Sequence, residues 1–401
     1  MREQLRSRGA RIGTVAGAVA VAMGASAPAH AVQFATDDGW SAAFDGVISA
    51  FYVQTKDASD SGAAPSANEA RIMSGFNPSK FNAHFGAPTA NGLKVTGNFQ
   101  FAANISGNST GGASAGAPNN DSNGFFGMDV RVLDINVAGD WGTVSMGRSW
   151  GIFSGSSIVY DEASGSGVGH LCGTAGNTFG GTCGRIGAGY TWTAFAARLE
   201  YDTPDLGGFS ARLGLFDPAN GTGAQTKTPR IEAEGSYGGK FDSGAYKLWV
   251  GGLTQSLSAP VGGGHSATMN GVDLGAHVDV GGFGLTLAGA STKGFGAGGF
   301  KFGGIDPASG EVTKDTQAYV DASYKAGSTR FGASWGMGKQ DATATAFDAT
   351  KSKLGMLYVH HDLTPQARLS VELDNWNSTN ETTGANQSKY KVFTVGLLYN
   401  I

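Results

Sequence analysis

From Ser41 onward the chain alternates apolar and polar positions in short runs, the two-residue period of a strand with one apolar and one wetted face. In the run 93–106, Val95, Phe99 and Phe101 share one face, while Lys94, Thr96, Asn98 and Gln100 share the other. Val272, Leu274, Ala276 and Val278 oppose Asp273, His277 and Asp279. Leu369, Val371 and Leu373 oppose Arg368, Glu372 and Asp374. Sixteen such segments are predicted, the first at 41–54 and the last at 389–401. The second, 71–87, is interrupted near Pro78, which cannot donate to a ladder. The segment 186–202 is assigned as one strand, and 351–362 fits either register.

The connections between these segments switch regularly between short turns and long polar loops. An even number of strands puts both ends of the sheet on one side, with the short turns there and the long loops opposite, as bacterial outer-membrane barrels are built. Charged residues consistently stand opposite the apolar face, where a soluble sandwich would need a second apolar layer. The last run keeps Phe393, Val395, Leu397, Tyr399 and Ile401 in alternation to its end, and lipid would cover such an edge. The expectation is an all-β fold: a closed 16-stranded antiparallel transmembrane β-barrel, wide enough for an aqueous channel. The stretch 151–186 shows no period and carries Asp161, Glu162 and both cysteines. Loops of that length are usually functional, and this one is expected to fold into the lumen and set what passes.

Composition narrows the picture. Charged residues make up 15% of the chain and glycine is abundant at 66 residues, while no run beyond residue 31 approaches the length of a membrane helix. The first 31 residues read as a targeting segment: Arg2, Arg6, Arg8 and Arg11, an apolar centre over 12–25, and Ala29-His30-Ala31, with cleavage expected between Ala31 and Val32. Removing it takes four Arg and one Glu from 28 basic and 32 acidic residues, leaving 24 against 31 and a charge of −7. That balance argues against nucleic acid as a partner and suggests a mild preference for cations. Export puts Cys172 and Cys183 where a disulfide is the default. No zinc-like spacing accompanies them, so no metal and no cofactor is expected.

Several local motifs, in order, resemble general-diffusion porins of the Gram-negative outer membrane. They are Asn77-Pro78-Ser79-Lys80-Phe81 leading to Asn91-Gly92-Leu93-Lys94, then Trp141-Gly142-Thr143-Val144-Ser145-Met146-Gly147-Arg148, and Gly184-Arg185-Ile186-Gly187. The resemblance implies a trimer in outer-membrane lipid, delivered by assembly machinery that reads the C-terminal strand; Ile401 stands where the family usually has Phe. It also implies a third loop whose acidic residues face basic residues across a narrow waist. Carried over by position, Asp161 and Glu162 form the acidic side, and Lys80, Arg131 and Arg185 the basic side. Arg148 joins the basic side, although its parity matches outward Val144 and Met146. Opposed charges across a waist order water and select small polar solutes.

The function expected is therefore passive diffusion of small hydrophilic solutes and ions. A rival is a channel with a site for one solute class, with Trp249 and Trp376 either lining the lumen or, as favoured here, anchoring the membrane interface. A hydrolase on a barrel would require a Ser-His-carboxylate set behind a recognisable nucleophile turn, and the chain is not read as an enzyme. An adhesin would show a blocked lumen.

Overall fold

The computed structural model describes residues 31–57, 69–103, 105, 128–171, 182–218, 224–226, 228–260, 265–295, 304–306 and 308–401. Sixteen antiparallel strands cross in sequence. The first half comprises β1 (Ser41–Asp57), β2 (Glu69–Met73 continued by Ser79–Gly86), β3 (Lys94–Ala103), β4 (Met128–Gly139), β5 (Gly142–Trp150), β6 (Phe195–Asp202), β7 (Phe209–Phe216) and β8 (Arg230–Phe241). The second half comprises β9 (Gly244–Pro260), β10 (Ala267–Val280), β11 (Phe283–Lys293), β12 (Lys314–Ala326), β13 (Thr329–Gln340), β14 (Thr350–Asp362), β15 (Ala367–Asn380) and β16 (Asn386–Asn400).

Each strand pairs with the next, and β16 returns to β1 in the register Val47↔Asn400 to Asp57↔Tyr390, so the sheet is closed. Below Val47 the place of β16 beside β1 is taken by the short strand Val32–Ala35, which pairs with Ser41–Phe44. Closure leaves no strand edge to lipid, which could not satisfy it. The break in β2 falls over 74–78 as expected from Pro78.

Alternation is set by what each face meets. Leu248, Val250, Leu274, Leu287, Phe331, Leu357, Leu373 and Leu397 are exposed on the outside, in the band that lipid covers. The residues between them point inward. The ambiguous strand β14 resolves with Leu357 outside and Leu354, Met356 and Tyr358 buried inside. Its inner face is apolar because Ala163, Val168 and Ala188 of the long third connection pack against it. The two expected interface anchors likewise point inward. Trp249 is buried with Ile158, Cys183, Ile186 and Tyr190, and Trp376 with Val168 and Tyr390. Both support that connection and neither anchors the interface.

Strand β6 begins at Phe195, well after the expected 186. The residues 186–194 alternate Ile186, Ala188, Tyr190 and Trp192, but three of these side chains are buried, and Trp192 partly so, in contacts inside the barrel. The third connection therefore runs over 151–194. It holds two short helices, α1 (Gly155–Val159) and α2 (Glu162–Gly165).

Candidate functional site

The third connection is held along the inner wall by side chains from strand after strand. Glu232 on β8 accepts from the backbone N–H groups of Ile152 and Phe153 through one oxygen, at 2.7 and 2.8 Å, while Arg230 donates to the other. Asp273 on β10 accepts from Ser154 N at 3.3 Å. Ser154 is buried with φ 63°, a left-handed conformation costly for a residue with a Cβ. Trp249 on β9 donates to Ser157 Oγ, Tyr319 on β12 to Ser157 O at 2.6 Å, and Thr286 on β11 to Tyr160 O at 2.9 Å. Glu372 on β15 accepts from Val168 N and Gly169 N, 2.8 Å each. A Cβ at Gly167 would lie 2.0 Å from Glu372 Oε2, so only glycine admits this approach. Buried carboxylates taking two backbone donors each are well satisfied, and charge-assisted bonds of this kind are the strong ones.

The return leg crosses β13. Cβ atoms at Gly336 and Gly338 would meet Ala188 O and Gly187 O at 2.1 and 2.0 Å, so these wall glycines clear a track for the chain. Arg185, fully buried, donates to Ser334 Oγ at 2.6 Å and Met356 Sδ at 2.8 Å, and lies over the Tyr319 ring. Its Nε is 3.5 Å from Asp161, which also accepts from Tyr190 OH and from Ser164 N as the cap of α2. Burial alone would depress the Arg185 guanidinium, but Asp161, Tyr190 and Asp321 raise it above its ordinary value, so it stays charged. Asp161 and Arg185, assigned by sequence to opposite sides of a waist, are one buried pair within the connection. Neither side chain is exposed to water.

Glu162 keeps 23% of its side chain exposed and faces a basic cluster that sequence reasoning missed. Arg330 Nε on β13 is 3.3 Å away, His360 Nδ1 on β14 3.6 Å, and an Arg368 nitrogen on β15 3.8 Å. Burial would raise the Glu162 carboxyl, but the His360 contact and the two guanidiniums outweigh it and hold it below its usual range. Parity was the available signal for Arg330 and Arg368, which fall on inward positions of strands correctly located in sequence, but not for His360, whose segment fits either register.

On β2 to β7 four further basic side chains enter the picture. Lys80 on β2 donates to Asn77 at 2.9 Å. Arg131 on β4 pairs with Asp129 at 2.8 Å, Arg198 on β6 with Glu200 at 3.1 Å, and Arg212 on β7 with Glu234 at 2.8 Å. In each pair the guanidinium side chain is the wetter partner: 16% against 3% exposed, 11% against 4%, and 34% against 4%. The order reverses at His277–Asp279, near the short turn after β10, at Arg368–Asp362 and Lys339–Asp341, and at Glu162, which at 23% is slightly wetter than Arg330 at 20% and Arg368 at 15%. Arg148 does not join the cluster. It stands in register with Leu133 and Ala197, both exposed on the outer face, and donates to Val130 O at 2.9 Å.

Cys183 is buried and disulfide-bonded, while Cys172 lies outside the described residues, as does the targeting segment up to residue 30. His170 is buried, stacked on Trp376 at 4.1 Å, with Nε2 2.7 Å from Ile186 O. Burial lowers its pKa to about 4 despite the two carbonyls it meets. The spacing Gly-x-Ser-x-Gly does occur, at 107–111, 112–116, 147–151 and 332–336, as expected by chance with 66 glycines. Ser149 and Ser334 lie inside strands, and Ser334 donates to Val320 O and accepts from Arg185. Neither of these two sits on the strand-to-helix turn a nucleophile needs.

Residues 18–382 match a family model described as Gram-negative porin. A comparison with curated proteins finds no match. Among solved structures, the anion-selective porin from Comamonas acidovorans is 16% identical with a TM-score of 0.62, covering 90% of this chain and 100% of that one. The outer membrane channel DcaP of Acinetobacter baumannii is 14% identical with a TM-score of 0.64, covering 92% and 99%. OmpT, an outer membrane protein of Vibrio cholerae in its trimer form, is 18% identical with a TM-score of 0.56, covering 91% and 100%. At these identities the likeness is one of fold.

Proposed function

The chain belongs to the Gram-negative porin family and forms an outer-membrane diffusion channel; on that premise we propose that small hydrophilic solutes pass between the third connection and the wall of β2 to β7, with anions favoured over cations. One observation carries the preference. Asp161 is sealed against Arg185, and the partly exposed Glu162 is countered by Arg330 and Arg368 together, while Arg131, Arg198 and Arg212 stand wetter than the carboxylates they pair with. The cation preference expected from total charge is therefore not adopted. Total charge counts carboxylates such as Glu232 and Glu372, which are sealed against backbone donors, whereas a permeating ion meets the groups at the water surface first.

Assembly as a homotrimer is part of this reading. Arg148 lies on the outer face in register with exposed Leu133, where a charge facing lipid is unfavourable to a degree set by its depth in the bilayer. A second copy over that face would remove the cost. The trimer form of the Vibrio cholerae OmpT structure is consistent with it.

The test is the reversal potential of refolded protein in a planar bilayer under a KCl gradient. The sign for chloride preference is expected, with openings grouped in threes. The sign for potassium preference would overturn the selectivity reading, and openings that never group in threes would overturn the trimer.

A further inference from the structure

Tyr190 and Trp192 of the third connection join wall residues in a file of aromatic rings whose far end, Tyr319, also serves docking by donating to Ser157 O. Phe195 on β6 stacks on Trp150 with centroids 5.8 Å apart. Trp150 meets Trp192 edge-on at 6.3 Å, Trp192 meets Phe76 edge-on at 6.3 Å, Phe76 meets Tyr190 at 6.4 Å, and Tyr190 meets Tyr319 on β12 at 5.9 Å. The file thus joins two distant strands of the wall. Its ends are buried in Phe195 and Tyr319, whereas Trp150, Trp192 and Phe76 in the middle are only partly buried. An arginine caps each end: Arg185 lies 5.2 Å from the Tyr319 centroid, and Arg131 lies 5.3 Å from that of Phe195. Arg185 is sealed, but Arg131 keeps part of its guanidinium side chain in water.

We propose that the half-covered rings of Trp192, Trp150 and Phe76, with Arg131 one ring further on over Phe195, form a binding subsite for planar aromatic carboxylates in transit. The chemistry follows from the two components. An aromatic solute offers a face or an edge to partly covered rings and gains an interaction that an aliphatic ring of similar size lacks. Its carboxylate needs a planar cationic partner within reach, and a guanidinium matches that geometry. The middle rings meet edge-on and keep part of their surface uncovered, in contrast to the stack of Tyr160 between Trp249 and His277. This subsite rests on the reading of the lumen as a diffusion channel and deepens its preference for anions.

The test uses the full mature protein in a planar bilayer with benzoate added to one side, and cyclohexanecarboxylate and acetate as probes of equal charge. Benzoate is expected to block chloride current in a saturable manner, with a half-blocking concentration about tenfold below that of cyclohexanecarboxylate, equivalent to ~1.4 kcal/mol. Trp192→Ala should remove that difference and Trp192→Phe should retain most of it, with heat-resistant mobility on gels reporting folding of both. Should Trp192→Ala fail to fold, Phe76→Ala takes its place. Equal block by benzoate and cyclohexanecarboxylate, or an unchanged benzoate block in the folded alanine variant, would overturn the subsite. The KCl reversal potential of the same preparations, without benzoate, judges the anion preference separately.

Discussion

The carboxylate of Glu162 lies 3.3 Å from Nε of Arg330, so the connection neutralises a wall arginine and adds no free negative charge to the waist. Glu162→Gln should leave the Arg330 guanidinium without its carboxylate, while Arg368 keeps Asp362 at 2.7 Å, and move the KCl reversal potential further toward anions. Asp161→Asn should act differently, because Asp161 faces buried Arg185. Stranding that guanidinium costs roughly 3–5 kcal/mol, and the expected result is a noisier channel with little change in reversal potential. Equal selectivity shifts from the two variants would contradict the geometry.

Glu372 accepts the two backbone N–H groups that fix the tip of the described loop. Glu372→Ala should weaken docking by roughly 3 kcal/mol, two charge-assisted bonds less the water that replaces them. Raised open-channel noise and new protease sensitivity within 165–171 are the expected readouts, with the barrel itself still resistant to heat.

Gly338 clears the return leg, and a side chain there would meet Gly187 O. Gly338→Val should push residues 187–188 toward the pore and lower single-channel conductance. Gly355 on β14 has open space around its Cβ position and serves as the control. Gly355→Val is expected to leave conductance within about ten percent of wild type, as surface changes away from packed features do.

His170 supplies a pH dependence with a defined sign. Its folded pKa is lowered to about 4 by burial, against an ordinary 6.5. The undocked loop therefore binds a proton between those values that the docked loop refuses, and docking weakens as pH falls from 6.5 toward 4. Channel noise should rise through that window and stay flat above it. His170→Gln, which cannot titrate, should flatten this component.

Most of the barrel was legible in the sequence because lipid and water impose opposite demands on alternate residues, as at Leu274 and Asp273 or Leu373 and Glu372. Alternation misleads where a third surface intervenes. Leu354 and Met356 are apolar on an inward face because the third connection covers them, and Ile186, Ala188 and Tyr190 mimic a strand because they pack against a wall. The same surface explains Trp249 and Trp376. At the site, the contacts differ from the opposition across a waist that the sequence suggested. Spacing along a chain does not reveal that Asp161 reaches Arg185, or that Glu162 meets arginines far away on β13 and β15.

The seam between β1 and β16 has a consequence for how the molecule is made. Strand 41–57 finds its second neighbour only in 386–400, and Ile401 N then donates to Gly46 O. The first strand to emerge must wait for the last, the most distant pairing the topology contains, and contacts of that separation are slow to form. Until then both edges of the growing sheet are open to wrong partners. A chain cut before Asn386 would be left as an open ribbon with fifteen strands and two adhesive borders, so the fifteen-residue strand β16 decides between a membrane channel and an aggregate.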